Sequence, residues 1–305
     1  MSAFLHKKIF KYIAIILITF ITLSIYLFVY EPKYKGLISP SEQTLIFAHR
    51  GFGNHAPDNS LEGARIAIAN DFDGVDVDAQ FSKDKEIVIF HDVSLERFTT
   101  GKGRIDAKEL KELQTYDLGM KYGKGFSGVF IKTFEDFVQE VTPKAYLMVE
   151  LKVSTISETG IEQSVNEILA KHKAYDRVYI SSFNPMVLYR LKKINPQIRT
   201  VFIFMDSNWD PKRIAETKEA DRVTLPWYLQ KEWARVLIRK IIKPDALSIQ
   251  YQVDETVINK LTQKGYPIFL WPVNDESSII YGLNKQPYGL VTDEPPLTKK
   301  LRDSN

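Results

Sequence analysis

From Leu45 onward the chain alternates short apolar runs with longer amphipathic ones, and this rhythm limits the fold more than any other feature. Strand-like runs begin near residues 45, 74, 86, 146, 178, 200, 246 and 267. Helical periodicity fills most of the intervals, over about 60–70, 133–141, 157–171, 185–194, 211–219, 230–242, 255–264 and 276–284. Strand, helix and strand in repetition is the signature of parallel pairing through helical crossovers. Eight parallel strands close on themselves as a TIM (β/α)8 barrel, which commonly takes about 250 residues. The 305 residues suffice for one such barrel and an N-terminal segment. The expected fold is therefore α/β, a barrel over 44–305 with a Gly- and Lys-rich insertion at about 93–130 lying over its mouth. One interval is anomalous. Only Phe81–Lys85 separates the second run from the third, too short for a helix and by itself the mark of a hairpin.

Ahead of the barrel, Tyr12 to Tyr30 is a run of nineteen residues without a charge, rich in Ile, Leu and Phe. As a helix it would extend about 28 Å at about 1.5 Å per residue, enough to cross the hydrocarbon of a bilayer. A cleaved signal peptide shares the basic start and apolar core. Against that reading, the end of the run, Leu27-Phe28-Val29-Tyr30-Glu31-Pro32, lacks a small-x-small cleavage pattern. The expected layout is an N-terminus at 1–11, a transmembrane helix at 12–30 and a tether at 31–43. His6, Lys7, Lys8 and Lys11 precede the span, whereas Lys33 and Lys35 behind it are offset by Glu31. The positive-inside bias then puts the N-terminus in the cytoplasm and the barrel outside it, in a single-pass protein of the cell membrane.

Those five lysines and Glu31 carry +4 between them, while the whole chain carries +3, so everything after residue 35 amounts to −1. The basic balance belongs to the anchor, and no nucleic-acid surface is implied. Hydrophobic residues at 44% and charged residues at 26% fit a folded, well-cored chain. Cysteine is absent, which excludes disulfides and thiolate metal sites. A metal here must use oxygen or imidazole ligands.

The chemistry gathers between Ala48 and Asp92. Ala48-His49-Arg50-Gly51 follows the first run, Gly74-Val75-Asp76-Val77-Asp78 forms the second, and Ile87-Val88-Ile89-Phe90-His91-Asp92 ends the third. In an alternating Asp76-x-Asp78 both carboxylates point to one side of a strand and repel each other unless a cation lies between them. Asp is disfavoured in strands, so the pair asks for a reason beyond an exposed surface. With Glu150 it makes an all-oxygen set suited to one hard divalent cation, Mg²⁺ or Ca²⁺ and alternatively Mn²⁺, with Asp58 a candidate behind the ligands. A lone histidine after a strand is more often structural. Two of them, His49 and His91, each beside acidic groups, point instead to general acid–base work. His6, His55 and His172 read as surface or local contacts. Arg50 and Lys152 can hold phosphate oxygens or pair with the carboxylates. Trp271 can wall the substrate or pack in the core.

Taken together, these pieces resemble the glycerophosphodiester phosphodiesterase family, whose pattern runs His-Arg-Gly, Pro-Glu-Asn-Thr, Gly-x-x-x-x-Glu-x-Asp and a hydrophobic run ending His-Asp. The chain supplies His49-Arg50-Gly51, Pro57-Asp58-Asn59-Ser60, Gly74 to Asp78 and His91-Asp92. It continues with Glu150-Leu151-Lys152, Ser182-Phe183, Trp271-x-Val273-Asn274 and Thr292-Asp293-x-Pro295. The resemblance implies metal-dependent hydrolysis of glycerophosphodiesters to glycerol 3-phosphate and an alcohol, with His49 and His91 as acid and base in an order the sequence leaves open. A lysophospholipase D acting on membrane lysolipids and a catalytically weak phosphodiester-binding protein are the alternatives. The second is motivated by Asp58 and Asp76, which stand where the family usually has Glu. A ligand one methylene shorter leaves room for water, so Asp76 is expected to shift ion preference from Ca²⁺ towards Mg²⁺ or Mn²⁺.

Overall fold

A computed structural model of the protein describes residues 2–206 and 226–304. Nine strands appear among them: β1 Leu45–Ala48, β2 Gly74–Phe81, β3 Ile87–Ile89, β4 Tyr146–Leu151, β5 Val178–Ser182, β6 Arg199–Phe204, β7 Ala246–Gln250, β8 Ile268–Trp271 and β9 Gly289–Thr292. Eight of them pair in parallel. β1 binds β2 on one edge, with Ala48 opposite Val75, and β9 on the other, with Ala48 opposite Thr292. Because β1 pairs on both sides, the sheet has no free end and closes as a TIM barrel.

The count of eight is right but one member differs from the sequence reading. The run near 86 is β3, which pairs antiparallel with β2, Ala79 opposite Ile89 and Phe81 opposite Ile87. Five connecting residues turn back through Lys85 at φ +65° and cannot make the helical crossover that a parallel neighbour requires. The eighth barrel strand is β9, four residues starting on a glycine. The register explains what β3 is for. β1 stops level with Val75, so the upper half of β2 projects above it, and β3 runs back down that edge while β4 covers the other as far as Ala79 opposite Leu151. His91 is thereby returned towards the rim where β1 ends at His49.

Two apolar layers hold the barrel. Inward residues of alternate positions, Leu45, Phe47, Met148, Tyr179, Val201, Ala246, Phe269 and Val291, fill its lower interior, and Ile38 closes the bottom. Phe47 lies at their centre, edge-on to Phe269 at 5.2 Å and to Tyr179 at 6.1 Å between ring centroids. The outer faces of the strands pack on surrounding helices such as Leu61–Ala69, Phe134–Val141 and Ile161–His172. Ser60 and Thr133 cap the first two by accepting from backbone N–H groups of the first turn. The helix expected at 211–219 falls outside the described residues. Residues 93–130 form a satellite with its own small core of Leu95, Ile105, Leu113, Leu118 and Val129 against Val88 and Phe90.

The N-terminal helix runs Ser2–Phe28, and within it His6–Phe28 is long and apolar enough to cross a membrane, with none of that stretch buried. Beyond it the chain is pinned to the barrel. Glu31 is 1% exposed and accepts from Arg239 and from the Tyr266 hydroxyl.

Gly74 makes the central ring possible, since a Cβ there would lie 2.3 Å from the Phe47 ring. Gly74→Ala is expected to destabilise the protein by about 1–3 kcal/mol through overpacking, read from the urea unfolding midpoint. An unchanged midpoint would show that the ring has room to move.

Candidate active site

Above the apolar layers the inward positions turn polar. His49 leaves β1, Asp76 and Asp78 lie on β2, Glu150 and Lys152 come from β4 and the residue after it, Trp271 ends β8 and Asp293 follows β9. In the barrel register Asp78 stands opposite Glu150, and Glu150 opposite Ser181. All of these project at the C-terminal ends of parallel strands, the usual working face of this fold.

Asp78 is the most tightly held. Its Oδ2 accepts from Asn59 Nδ2 at 3.0 Å, its backbone N–H donates to Asn59 Oδ1 at 2.8 Å, and Lys152 Nζ lies 2.9 Å from Oδ1. The same ammonium is 2.8 Å from Glu150, so Lys152 bridges two of the three carboxylates. Arg50 approaches Asp78 through Nε at 3.7 Å and donates from Nη1 to Asp58 at 3.0 Å. Burial alone would raise Asp78; Lys152, His91 and Arg50 overcome it and hold the carboxyl well below the usual range. Asp58 thus holds Arg50 from behind, and Tyr122 of the 93–130 satellite donates its hydroxyl to the other Asp58 oxygen at 3.0 Å.

Asp76 is in the opposite condition. No hydrogen bond or ion pair reaches its carboxylate among the described residues, and burial, with Asp78 and Glu150 adding repulsion against the pull of His49, pushes it up to about 8. Glu150 is also raised, by burial first, although Lys152 opposes it. Ionised together, the three carboxylates would exceed the positive charge of Arg50 and Lys152, and the upward shifts of Asp76 and Glu150 oppose that state. Among the described residues no three carboxylates or imidazoles form a finished ligand set, because Lys152 engages Asp78 and Glu150. The donor chemistry nonetheless fits a hard cation: a half-buried carboxylate with no hydrogen bond or ion pair among the described residues, two more beside it, all oxygen.

The two histidines are placed differently. His49 Nδ1 is 2.6 Å from Asp293 Oδ1, and Asn274 Nδ2 donates to the other Asp293 oxygen at 2.5 Å. Burial works against a charged ring at 49, yet the Asp293 carboxylate outweighs it and the net shift is upward. Asp293 is correspondingly depressed, with His49 and Arg50 overcoming its burial. His91 sits well below the ordinary histidine value, first because it is buried and then because Arg50 and Lys152 repel its charged form, although Asp92 lies 2.5 Å from its Nδ1. Gln80 fixes this corner by donating to the carbonyls of Phe90 and Asp92.

Backbone geometry is specialised here too. Arg50 and Asn59 have φ of +52° and +58°, and Gly53, at +51°, passes so close to Asp293 that a Cβ would meet its backbone at 2.3 Å. Trp271 stands edge-on to Phe183 at 5.9 Å, as a wall of the mouth. Its indole Nε1 and the Ser181 hydroxyl are buried without a hydrogen-bond partner among the described residues. Of the other histidines, His55 reaches Glu294 and His172 reaches Glu135.

The sequence reading gave no role to Asp293, Asn274, Asn59 or Tyr122. Asp293 was within reach of it, since a carboxylate directly after a short apolar run is the same signal that singled out His49. Tyr122, 64 residues from the aspartate it touches, gives no local sign.

A family model described as the glycerophosphoryl diester phosphodiesterase family matches residues 49–297. The chain belongs to this family. A glycerophosphodiester phosphodiesterase of Bacillus altitudinis is 32% identical over 262 residues, covering 85% of this chain and 98% of that one. One from Caldanaerobacter subterraneus is 25% identical over 254 residues, covering 83% and 95%. Among solved structures, a phosphodiesterase of Oleispira antarctica in complex with the product sn-glycerol-3-phosphate superposes with a TM-score of 0.70 at 24% identity, covering 86% of this chain and 97% of that one.

Asp293→Asn keeps the shape but removes the charge that raises His49, so the His49 ring is expected to titrate at lower pH than in the parent, followed by NMR. A titration at or above the parent's would contradict the pairing. The sign for stability follows from both partners. The His49 contribution is complete below the unfolded histidine's pKa and disappears as pH rises through its raised value, whereas that of Asp293 disappears as pH falls through its depressed one. The variant's deficit should therefore be largest between those limits.

Proposed function

We propose that the protein hydrolyses glycerophosphodiesters to glycerol 3-phosphate and an alcohol, as a membrane-anchored enzyme whose barrel lies outside the cytoplasm. The observation that carries this reading is the meeting of His49 and His91 around Asp76, Asp78, Glu150, Arg50 and Lys152 at the mouth of the barrel. Family membership and the relatives' names support the substrate class. The proposed organisation keeps residues 1–11 in the cytoplasm, the span within 12–30, a connecting segment at 31–43 and the barrel over 44–305. The apolar helix and the lysines before it support this arrangement.

Arg50 and Lys152 would take the phosphate oxygens, with Arg50 Nε, Ser181 Oγ and Trp271 Nε1, buried without a hydrogen bond among the described residues, offering donors to the bound diester. Asp76, Asp78 and Glu150 would hold a divalent cation, which when bound neutralises phosphate charge. Its identity among Mg²⁺, Ca²⁺ and Mn²⁺ is for metal titration to decide. Asp293 fixes the His49 tautomer with hydrogen on Nδ1, leaving Nε2 as an acceptor of raised basicity, by the logic of an Asp-supported general base. His49 would then take the proton from the nucleophile, a water or the neighbouring glycerol hydroxyl. Burial first, and then Arg50 and Lys152, disfavour a charged His91; the arriving phosphate would offset the two cations and let His91 carry the proton that the leaving alcohol needs.

The test is turnover of glycerophosphocholine by the purified full chain with each metal, in the parent and in His49→Ala and His91→Ala. Both variants should lose about 10²-fold or more, as expected of a positioned proton carrier. A nitrophenyl diester, whose leaving group needs no proton, should restore much of the rate of His91→Ala and little of His49→Ala. Rescue of His49→Ala alone would reverse the two roles, and full rates in both variants would remove them from the chemistry.

A further inference from the structure

The helix Glu232–Ile242 buries two arginines beside Ala234, Val236 and Ile242 and leaves large apolar side chains outside. Arg235 and Arg239 face the barrel at 1% exposure, while Trp233 and Ile241 face outward at 45% and 55%. Trp233, Leu237, Lys240 and Ile241 recur at helical spacing on the outer face, and the preceding turn adds Trp227 and Tyr228 at 66% and 42%. The inward arginines are satisfied within the protein: Arg235 donates to Leu229 and Met205 carbonyls and to Asp206, and Arg239 to Glu31 and Glu232. An outer face that clusters two indole rings, a phenol and an isoleucine is the kind of exposed apolar patch that marks an interaction surface.

The same helix receives the end of the N-terminal span. Lys240 Nζ donates to the carbonyl of Leu27 at 3.0 Å and also to that of Tyr26, and Lys260 donates to that of Val29. Phe28 packs edge-on against Trp233 at 5.8 Å. Glu31, three residues after the last helical one, is locked in its buried ion pair with Arg239 at 2.6 Å. Three residues reach about 10 Å at most, so wherever the span leaves the bilayer, this face of the barrel goes with it. Trp and Tyr at the end of a span, with lysines beside them, are the side chains that settle at the headgroup level. Tyr26 and Tyr30 belong to the same girdle, with Lys240 at 4.8 Å from the Tyr26 ring and Lys264 at 5.5 Å from that of Tyr30.

We propose that the segment Trp227–Ile242 is a membrane-seating platform: its outer face lies in the headgroup layer of the bilayer and fixes the barrel in one orientation instead of letting it swing on a tether. The proposal rests on the reading of His6–Phe28 as a membrane span. The occupant is lipid, because the span's own end delivers this face to the bilayer surface.

The chain has no cysteine, so single nitroxide labels can be placed cleanly on the full-length protein in nanodiscs of phosphatidylcholine and phosphatidylglycerol. Labels go at Ile18→Cys within the span, Trp227→Cys and Ile241→Cys on the platform, and Ala69→Cys, exposed on the helix across the barrel. The ratio of accessibility to oxygen over a water-soluble nickel chelate should be several-fold higher at 18, 227 and 241 than at 69. A lipid-like Ile18 with water-like labels at 227 and 241 overturns the platform and spares the span. A water-like Ile18 removes the span and the platform with it. Spin–spin coupling between copies at 227 or 241, with low oxygen accessibility, would give the face to a second copy and overturn the lipid assignment.

Discussion

The mouth of the barrel depends on the burial of one carboxylate, Asp78. A buried charge is tolerated only when it is paired and hydrogen-bonded, and Asp78 is held by the Asn59 amide, the Lys152 ammonium and, at longer range, Arg50. Each of these in turn fixes something else. Asn59 is 1% exposed in a left-handed conformation and anchors the loop that carries Asp58, Lys152 gathers in Glu150, and Arg50 gathers in Asp58 and through it Tyr122. The satellite over 93–130 is thus tied to the site by a chain of polar contacts that starts on a single strand residue. Asp76, two positions earlier, has no hydrogen bond or ion pair among the described residues, whereas Asp78 is neutralised by protein, and the cation proposed for the site would supply the missing partner.

A second division of labour separates the histidines. The carboxylate behind His49 is reached from β9 and braced by Asn274, so a group at the far end of the chain sets the behaviour of one at its start. His91 follows β3, the one antiparallel strand among the described residues, and stays close to the cations. Environments that push two titratable groups apart let one site provide both a base and an acid, the roles proposed for His49 and His91.

Much of this was legible in sequence, because the barrel's alternation of apolar run and helix is a strong periodic signal. The named site residues His49, Arg50, Asp76, Asp78, His91, Glu150, Lys152 and Trp271 all come to one end of it. The misread strand shows where that signal ends. Ile87-Val88-Ile89 has the composition of a barrel strand, and only the length of its connector distinguishes a hairpin from a crossover, whereas Gly289-Leu290-Val291-Thr292 is short and begins with a residue that strands disfavour. Overlooking β9 as a strand also hid Asp293 at its exit. Asn59 and Asn274 stood in the motifs that carry the resemblance without a role, and Tyr122 was not legible at all, since a phenol that pairs with a distant carboxylate leaves no pattern in its own neighbourhood. The exposed apolar stripe of Glu232–Ile242 was similarly hidden, because its periodicity identifies a helix without saying which stripe faces the barrel.

If Asp76 is a ligand of the proposed cation, metal binding must displace the proton it holds. Calorimetric titration of the full chain with Mg²⁺ or Ca²⁺ at pH 7, repeated in buffers of different ionisation enthalpy, tests it most directly. A group pushed up to about 8 is mostly protonated at that pH and must lose its proton to become a ligand. Binding should therefore release about one proton in the parent and clearly less in Asp76→Asn, which should also bind more weakly. Equal binding and equal proton release in the two proteins would contradict the account.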